Sequence, residues 1–373
     1  MSLSSRCSYV EIDIDCLYEN YKFIKSKTDS DIRAVVKANA YGHGIKEIVY
    51  YLNKFGVNKF AVAFFEEAVI INEIVEKGEI LILNYVDPNF IKTYLMKNKI
   101  DNFIFTVYSV DILKKYIEIL GESIYKLKFE IKINTKMNRL GVSTSEDISY
   151  LNKYFSENNN LLNGVFSHFY NTNSKINTEE QYNYFLEICN KFNFYIPKKH
   201  ISNSGGFFLD EKYHLDEVRI GMSLYGLQPY KEHIIEGLKE ILSWKSVVSN
   251  ILYVKKNENI GYGNINFADK DMKIAIVPIG YSDGYSYYYK DNYVLINNNK
   301  CKIIGEISME QIIIDITNID VSISDVVYLL GKNITIREIS KKTKCVPDNI
   351  TATINKEIIR LYKGDDTIWK KIK

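Results

Sequence analysis

Lys37 is the residue of this 373-residue chain whose type and setting most demand a chemical explanation. It follows the apolar run Ile32–Val36 and opens the segment Lys37-Ala-Asn-Ala-Tyr41-Gly-His-Gly44. An ammonium at the end of a buried strand is costly unless it is paired or deprotonated. A desolvated lysine with lowered pKa is a nucleophile that condenses with an aldehyde. Tyr41 stands where the following loop begins, placed to reach a phosphate, and Gly42 and Gly44 let that loop turn tightly. A single lysine of this kind is more often one whose stem snorkels to solvent. The weight therefore rests on its company.

That company is polar groups at the ends of other apolar runs. Lys132-Ile-Asn-Thr-Lys-Met-Asn-Arg139 carries three separated cations, and the planar fork of Arg139 suits a carboxylate. Val165-Phe-Ser-His168 and His200-Ile-Ser-Asn203-Ser204-Gly-Gly206 add two histidines, an amide and several hydroxyls. Glu217-Val-Arg219-Ile-Gly221-Met222 adds an arginine and two backbone N–H groups able to meet a phosphate. Ile260-Gly261-Tyr262-Gly263 follows much later. Singly, these would be a solvated rim, a core histidine, a turn, and one tyrosine among 30.

The elements that would position them follow a clear rhythm. Eight short apolar runs begin near Ile32, Phe60, Ile80, Phe103, Leu127, Gly164, His200 and Val218. Helix-like stretches such as Ile45–Phe55, Glu66–Lys77 and Glu179–Phe192 separate most of them. This alternation predicts a (β/α)₈ barrel, whose catalytic groups gather at the C-terminal ends of the strands. After about Pro229 the rhythm changes to strand-like Trp244–Val254, Lys273–Ile279, Lys302–Ile304, Gln311–Ile316 and Asp325–Leu329. These predict a mainly-β domain closed by a short helix near Asp348–Asn355. The expected domains are 1–230 and 231–373, with the first strand free to pair with the second domain.

Composition narrows the function classes. A net charge of +2 gives no field for nucleic acid or an anionic membrane. The five cysteines are scattered without a CxxC pair, which argues against a disulfide framework or a zinc site. No apolar run reaches the roughly 20 residues of a membrane span. The expectation is a cytoplasmic protein, or the soluble domain of a membrane-anchored one.

Taken together and in order, these segments resemble the pyridoxal-phosphate signature and downstream blocks of the alanine racemase family, over almost the whole chain. That family's fold is a barrel followed by a β domain. The resemblance implies pyridoxal 5'-phosphate held on Lys37 and surrounded by Tyr41, His168, Asn203, Ser204, Arg219, Gly221 and Met222. It implies two opposed bases, Lys37 and Tyr262, with His168 hydrogen-bonded to the Tyr262 hydroxyl. Arg139 and the Met309 N–H would hold the substrate carboxylate, and Lys132 matches a lysine that is carbamylated and steadies that arginine. Tyr281 belongs to a block lining the mouth of the site. Tyr262 and Met309 would come from a second copy, so a homodimer with shared active sites is implied. In this family the arginine at 219 bonds the pyridine nitrogen. An arginine does not readily give up its proton, so the ring nitrogen stays unprotonated and the electron sink is weak. A weak sink suits proton return over transamination or decarboxylation.

The chain departs from the family pattern at several positions. Asn134 and Lys136 stand where Asp and Gly are usual, Ser308 replaces a cysteine, and Glu310 an aspartate. Near the C-terminus Asp348-Asn349 stand about where a Tyr-Glu pair is expected. A smaller polar residue there would open space and offer a hydrogen bond to a hydroxymethyl group, worth roughly 1–3 kcal/mol of selectivity. Serine thus joins alanine as an expected substrate, as in serine racemase domains associated with vancomycin resistance. The D-amino acid would serve cell-wall peptidoglycan precursors. Two other readings compete. A decarboxylase of the same fold type would need a glycine-rich phosphate loop and a partner cysteine, for which Ser308 is the nearest candidate. A non-catalytic cofactor-binding barrel would lack the β domain that carries Tyr262.

Overall fold

The computed structural model describes residues 6–364; the outermost residues of both expected domains, 1–5 and 365–373, lie outside it. Eight strands pair in parallel: Asp31–Val35, Lys59–Val62, Glu79–Ile82, Phe103–Val107, Lys128–Lys132, Leu162–Phe166, Lys199–His200 and Glu217–Ile220. The first pairs with the last, Arg33 opposite Arg219. The remaining seam, beside Lys199–His200, is bridged by single bonds such as Arg219 N–H to the Ser202 carbonyl at 3.1 Å. The sheet is thus a nearly closed barrel. Helix Ile45–Lys54 illustrates the outer layer: Ile45, Ile48, Val49 and Leu52 recur at helical spacing and are buried.

Inward side chains form unlike layers, because inward positions recur every second residue. Val35, Ala61, Leu81, Ile104 and Phe166 make a small apolar plug. Two residues before the first three stand Arg33, Lys59 and Glu79, charged groups at the barrel floor. Two residues after Val35 stands Lys37, at the mouth.

The second domain is a nine-stranded sheet. Tyr9–Asp13 lies within it, antiparallel to Leu242–Val247 and parallel to Ile359–Lys363. The chain therefore enters through the β domain before building the barrel. The run read as one strand, Trp244–Val254, is two: Leu242–Val247 and Asn250–Val254. The reversal carries neither Gly nor Pro; Val248 and Ser249 donate instead to the carbonyls of Asp325 and Ile276. Strand Tyr293–Ile296 and helix Ile336–Thr343 add to the expected set, and the short helix near residue 348 spans Pro347–Ala352. No described helix is long and apolar enough to cross a membrane.

Candidate active site

At the C-terminal ends of the barrel strands lies a cavity of about 460 Å³. Its lining includes Lys37, Tyr41, Lys132, Arg139, His168, Asn203, Ser204, Arg219, Gly221 and Met222. The remaining expected residues are elsewhere in the same chain. Tyr262, Met309 and Tyr281 are 70%, 55% and 47% exposed on the β domain and do not line the cavity. A slightly larger hollow of about 500 Å³ between Lys270, Lys290 and Glu306 contains none of the expected residues and is open to solvent.

The backbone after Lys37 is unusual. Ala38, Asn39 and Ala40 have φ/ψ of 54/51, 55/46 and 53/53, and Tyr41 has φ 54, so the segment winds as a left-handed turn. Contacts from both domains hold it, among them Asn39 N–H to Glu67 Oε1 at 3.3 Å. Asn39 Oδ1 accepts from the Ile45 N–H at 3.0 Å. Arg360 Nε donates to the Gly42 carbonyl at 2.8 Å, and the Tyr362 hydroxyl to that of His43 at 2.9 Å. Glycine is needed at 42 and 44 for space as well as for φ. An added Cβ would lie 1.9 Å from the Thr351 carbonyl oxygen or from the Tyr362 hydroxyl respectively.

The cavity is strongly cationic. Burial, and then Arg139, push the Lys37 amine below its ordinary range, against opposing pulls from Asp348 and Glu67. Lys132 is 6% exposed. Burial and the charges of Arg139, Arg219 and Lys37 lower its amine to about 8. Arg219, also buried, is lowered to about 10, chiefly by desolvation. Both lie over the Phe166 ring, the Lys132 amine 5.6 Å and the guanidinium 5.2 Å from its centre. His168 is kept neutral by burial and by the nearby Arg219 and Lys132. Its Nε2 faces Asn203 Nδ2 at 3.3 Å. Asn203 is itself fixed, since its Oδ1 accepts from Gly206 N–H at 3.0 Å.

One end of the cavity is shaped for an anion. The Ser204 hydroxyl oxygen accepts from Gly221 N–H at 3.3 Å and from Ser223 N–H at 3.5 Å. A Cβ on Gly221 would approach the Tyr41 hydroxyl to 2.5 Å, so the phenol stands directly over that backbone. Hydroxyls and N–H groups converging in a cationic pocket suit a phosphate, and a buried amine with lowered proton affinity suits an aldehyde. The residues present therefore fit pyridoxal phosphate.

Sequence reasoning passed over several residues or roles that shape this site. Asp348, singled out in the sequence for the substrate pocket, does line the cavity, but its carboxylate also acts on Lys37 and Tyr41, a role the sequence did not suggest. Arg360 and Tyr362 reach the left-handed turn from the last strand, more than 300 positions away, a contact no local pattern announces. His200 and Glu130 contact Arg219 from behind, directly and through one another. Their signal, a polar side chain at an inward position of a buried strand, becomes readable only once the barrel's closure fixes which positions face inward.

Residues 12–229 match the alanine racemase N-terminal domain family, and residues 241–362 the alanine racemase C-terminal domain family. Alanine racemase from Clostridium tetani is 33% identical over 96% of each chain. The crystal structure of alanine racemase from Bacillus anthracis with bound L-Ala-P has 27% identity and a TM-score of 0.90, covering 98% of this chain and 97% of that one. Alanine racemase from Bartonella henselae, solved with covalently bound pyridoxal phosphate, has 26% identity and a TM-score of 0.86, covering 96% of this chain and 99% of that one. With both domains matched and aligned nearly end to end, the chain belongs to the alanine racemase family.

Proposed function

We propose that this chain is a pyridoxal-phosphate-dependent racemase interconverting L- and D-alanine as a homodimer with shared active sites. The observation that carries the reading is the desolvated Lys37 amine facing Arg139 and Arg219 across one cationic cavity. Lys37, Tyr41, Ser204, Arg219 and the Gly221 and Met222 backbone would hold the cofactor. Bound there, the cofactor supplies the electron sink that acidifies the substrate α-hydrogen.

This chain's residues then do the remaining work. Arg139 has its guanidinium exposed at the cavity and makes no ion pair among the described residues, so it is free to orient a carboxylate. Lys37 Nζ, with proton affinity lowered by burial, accepts and returns a proton on one face. Racemisation needs a second group on the opposite face. Tyr262 Oη is assigned that role from a neighbouring copy, because Tyr262 is exposed and does not line its own chain's cavity. Met309 is assigned to the same donated surface. Its carbonyl accepts from Ser282 N–H at 3.0 Å and the Ser282 hydroxyl at 2.9 Å, which ties it to the Tyr281 turn. Lys132, with a neutral fraction of about a tenth at pH 7 given its lowered pKa, is assigned as the carbamylated partner of Arg139.

Serine is a second substrate favoured by one observation. Asp348 lines the cavity with a group that, ionised, only accepts hydrogen bonds, and a hydroxymethyl side chain has one to give. Either D-amino acid would serve cell-wall precursors.

The test is solvent-deuterium incorporation at Cα during turnover, with product handedness resolved for L-alanine and L-serine. Incorporation with loss of handedness and no CO₂ release supports racemisation; CO₂ release overturns it. Lys37→Ala is expected to abolish the cofactor's visible band. Tyr262→Phe is expected to slow solvent-deuterium exchange at Cα of the L-enantiomer more than of the D-enantiomer. Small, equal losses would remove Tyr262 from its role.

A further inference from the structure

Arg219 has no carboxylate within hydrogen-bonding reach among the described residues. Its Nη1 meets His200 Nδ1 at 2.6 Å, and its Nη2 donates to the Ser167 carbonyl and, at 3.2 Å, to that of Ile201. His168 Nδ1 stands 3.5 Å from the same Nη2. Nε and the second Nη1 hydrogen meet no acceptor among the described residues, and the side chain lines the cavity. What fixes this guanidinium is therefore neutral groups, and one of them is a ring that can exist in two tautomers.

The geometry decides between them. A guanidinium has only hydrogens to offer, so Nδ1 of His200 must present its lone pair. The ring proton then sits on Nε2, which faces Glu130 Oε2 at 2.9 Å. Glu217 Oε1 is 3.7 Å from Nδ1, too far to take a proton there. Burial lowers the proton affinity of His200 in spite of Glu130, so the ring is neutral. Glu130 is as buried, yet His200 and Arg33 hold its carboxyl below the ordinary range. Its other oxygen accepts from Asn163 Nδ2 at 2.8 Å and lies 3.4 Å from Arg33 Nη2. Arg33 in turn grips both oxygens of Glu217, at 2.5 and 3.0 Å. The ring stacks on Phe166, centroids 5.1 Å apart, so it cannot turn over without disturbing the plug.

We propose that Glu130 is a positioning residue of the active site, acting through His200. Its carboxylate locks the Nε2–H tautomer, and the free Nδ1 lone pair then holds the Arg219 guanidinium toward the cavity. The barrel floor thereby sets the donor that meets the cofactor ring. This rests on the assignment of Arg219 to the cofactor made above.

Two measurements test it. The first needs no cofactor: selective ¹⁵N-histidine labelling of the cofactor-free protein, with five histidines to assign. His200 is expected as the neutral Nε2–H tautomer at pH 7; an Nδ1–H ring or an imidazolium overturns the proposal. The second compares His200→Gln with His200→Leu by absorbance titration with pyridoxal phosphate. Glutamine offers an oxygen to Arg219 and an N–H to Glu130, so it is expected to keep affinity within about threefold and the same band position. Leucine fills the site but offers neither, and is expected to lose about ten- to hundredfold with a shifted band. Equal behaviour of the two variants overturns the relay. If the wild type takes up no pyridoxal phosphate, the functional reading fails, while the tautomer measurement still decides this one. Should the leucine variant not fold, that measurement decides alone.

Discussion

Lys132→Met is expected to stabilise the cofactor-free protein, and the size follows from the cavity's charges. The amine is buried, faces Lys37, Arg139 and Arg219, and has no carboxylate partner among the described residues. Its pKa falls from 10.5 to about 8, mainly through desolvation and then Arg139. The unfolded chain thus binds this proton more tightly than the folded one, so stability rises with pH between those values. Below about 8 the penalty is fully present, and above about 10.5 it is gone. At about 1.4 kcal/mol per unit, the penalty is about 3 kcal/mol at pH 7 and about 2 kcal/mol at pH 9. Methionine keeps the aliphatic stem and removes the charge. Urea denaturation at fixed protein concentration, followed by fluorescence and circular dichroism together, is expected to give that gap at pH 7 and its narrowing at pH 9. Bicarbonate adds a second arm. Carbamylation turns the cation into an anion among three positive groups, so wild type is expected to gain stability with bicarbonate while Lys132→Met does not respond. Equal stability of the two proteins at pH 7, or a gap that does not change with pH, would refute the electrostatic reasoning.

Other expectations concern the turn after Lys37. Gly44→Ala places a methyl 1.9 Å from the Tyr362 hydroxyl at φ +97, and is expected to cost about 3 kcal/mol or more and weaken cofactor binding. Tyr362→Phe in that background removes the clashing oxygen and leaves the nearest ring carbon at 3.2 Å, so it is expected to restore about 1 kcal/mol. A strictly additive double-mutant cycle, read by thermal denaturation, would contradict this. Arg360→Met frees the carbonyls of Gly42, Ile354 and Ile358, and is expected to cost about 2–4 kcal/mol and to raise the pyridoxal-phosphate dissociation constant. An unchanged dissociation constant would mean that the last strand does not position the turn.

Much of the architecture was readable because buried parallel strands are written as short apolar runs. The eight begin within two residues of the runs seen in the sequence, His200 included. The β domain was less readable where reversals lack glycine or proline, as between Val247 and Asn250. Helix Ile336–Thr343 did carry a signal, the Thr335 and Glu338 capping box, but it is short and strongly polar outside Ile336 and Ile339. The site was legible where motif order constrained it, and the cavity gathers those residues from strand ends scattered between 37 and 222. What stayed hidden was the layer beneath. Arg33, Glu79, Glu130 and Glu217 look like surface charges until the barrel closes and turns every second position inward.

The left-handed turn is the sharpest case of a feature that local sequence argues against. Ala38, Ala40 and Tyr41 each meet a left-handed cost of about 1–2 kcal/mol, from which Asn39 is largely exempt, so the turn stores on the order of 3–6 kcal/mol. A barrel strand followed by its own helix would not adopt it unaided. Part of the compensation is local, from Asn39 to Ile45 and Glu67, and part comes from the other domain: Arg360 and Tyr362 on the last strand, and the backbone of Thr351, press on this segment. The effect on the site is direct. A right-handed turn would carry the next residues along a different path, and Tyr41 would no longer stand over Gly221 beside the Ser204 hydroxyl. The second domain thus does more than carry Tyr262 and Met309 on its surface. By holding a strained turn in the barrel of its own chain, it keeps Lys37 and Tyr41 in register at the cavity, which gives a physical reason why barrel and β domain belong to one polypeptide.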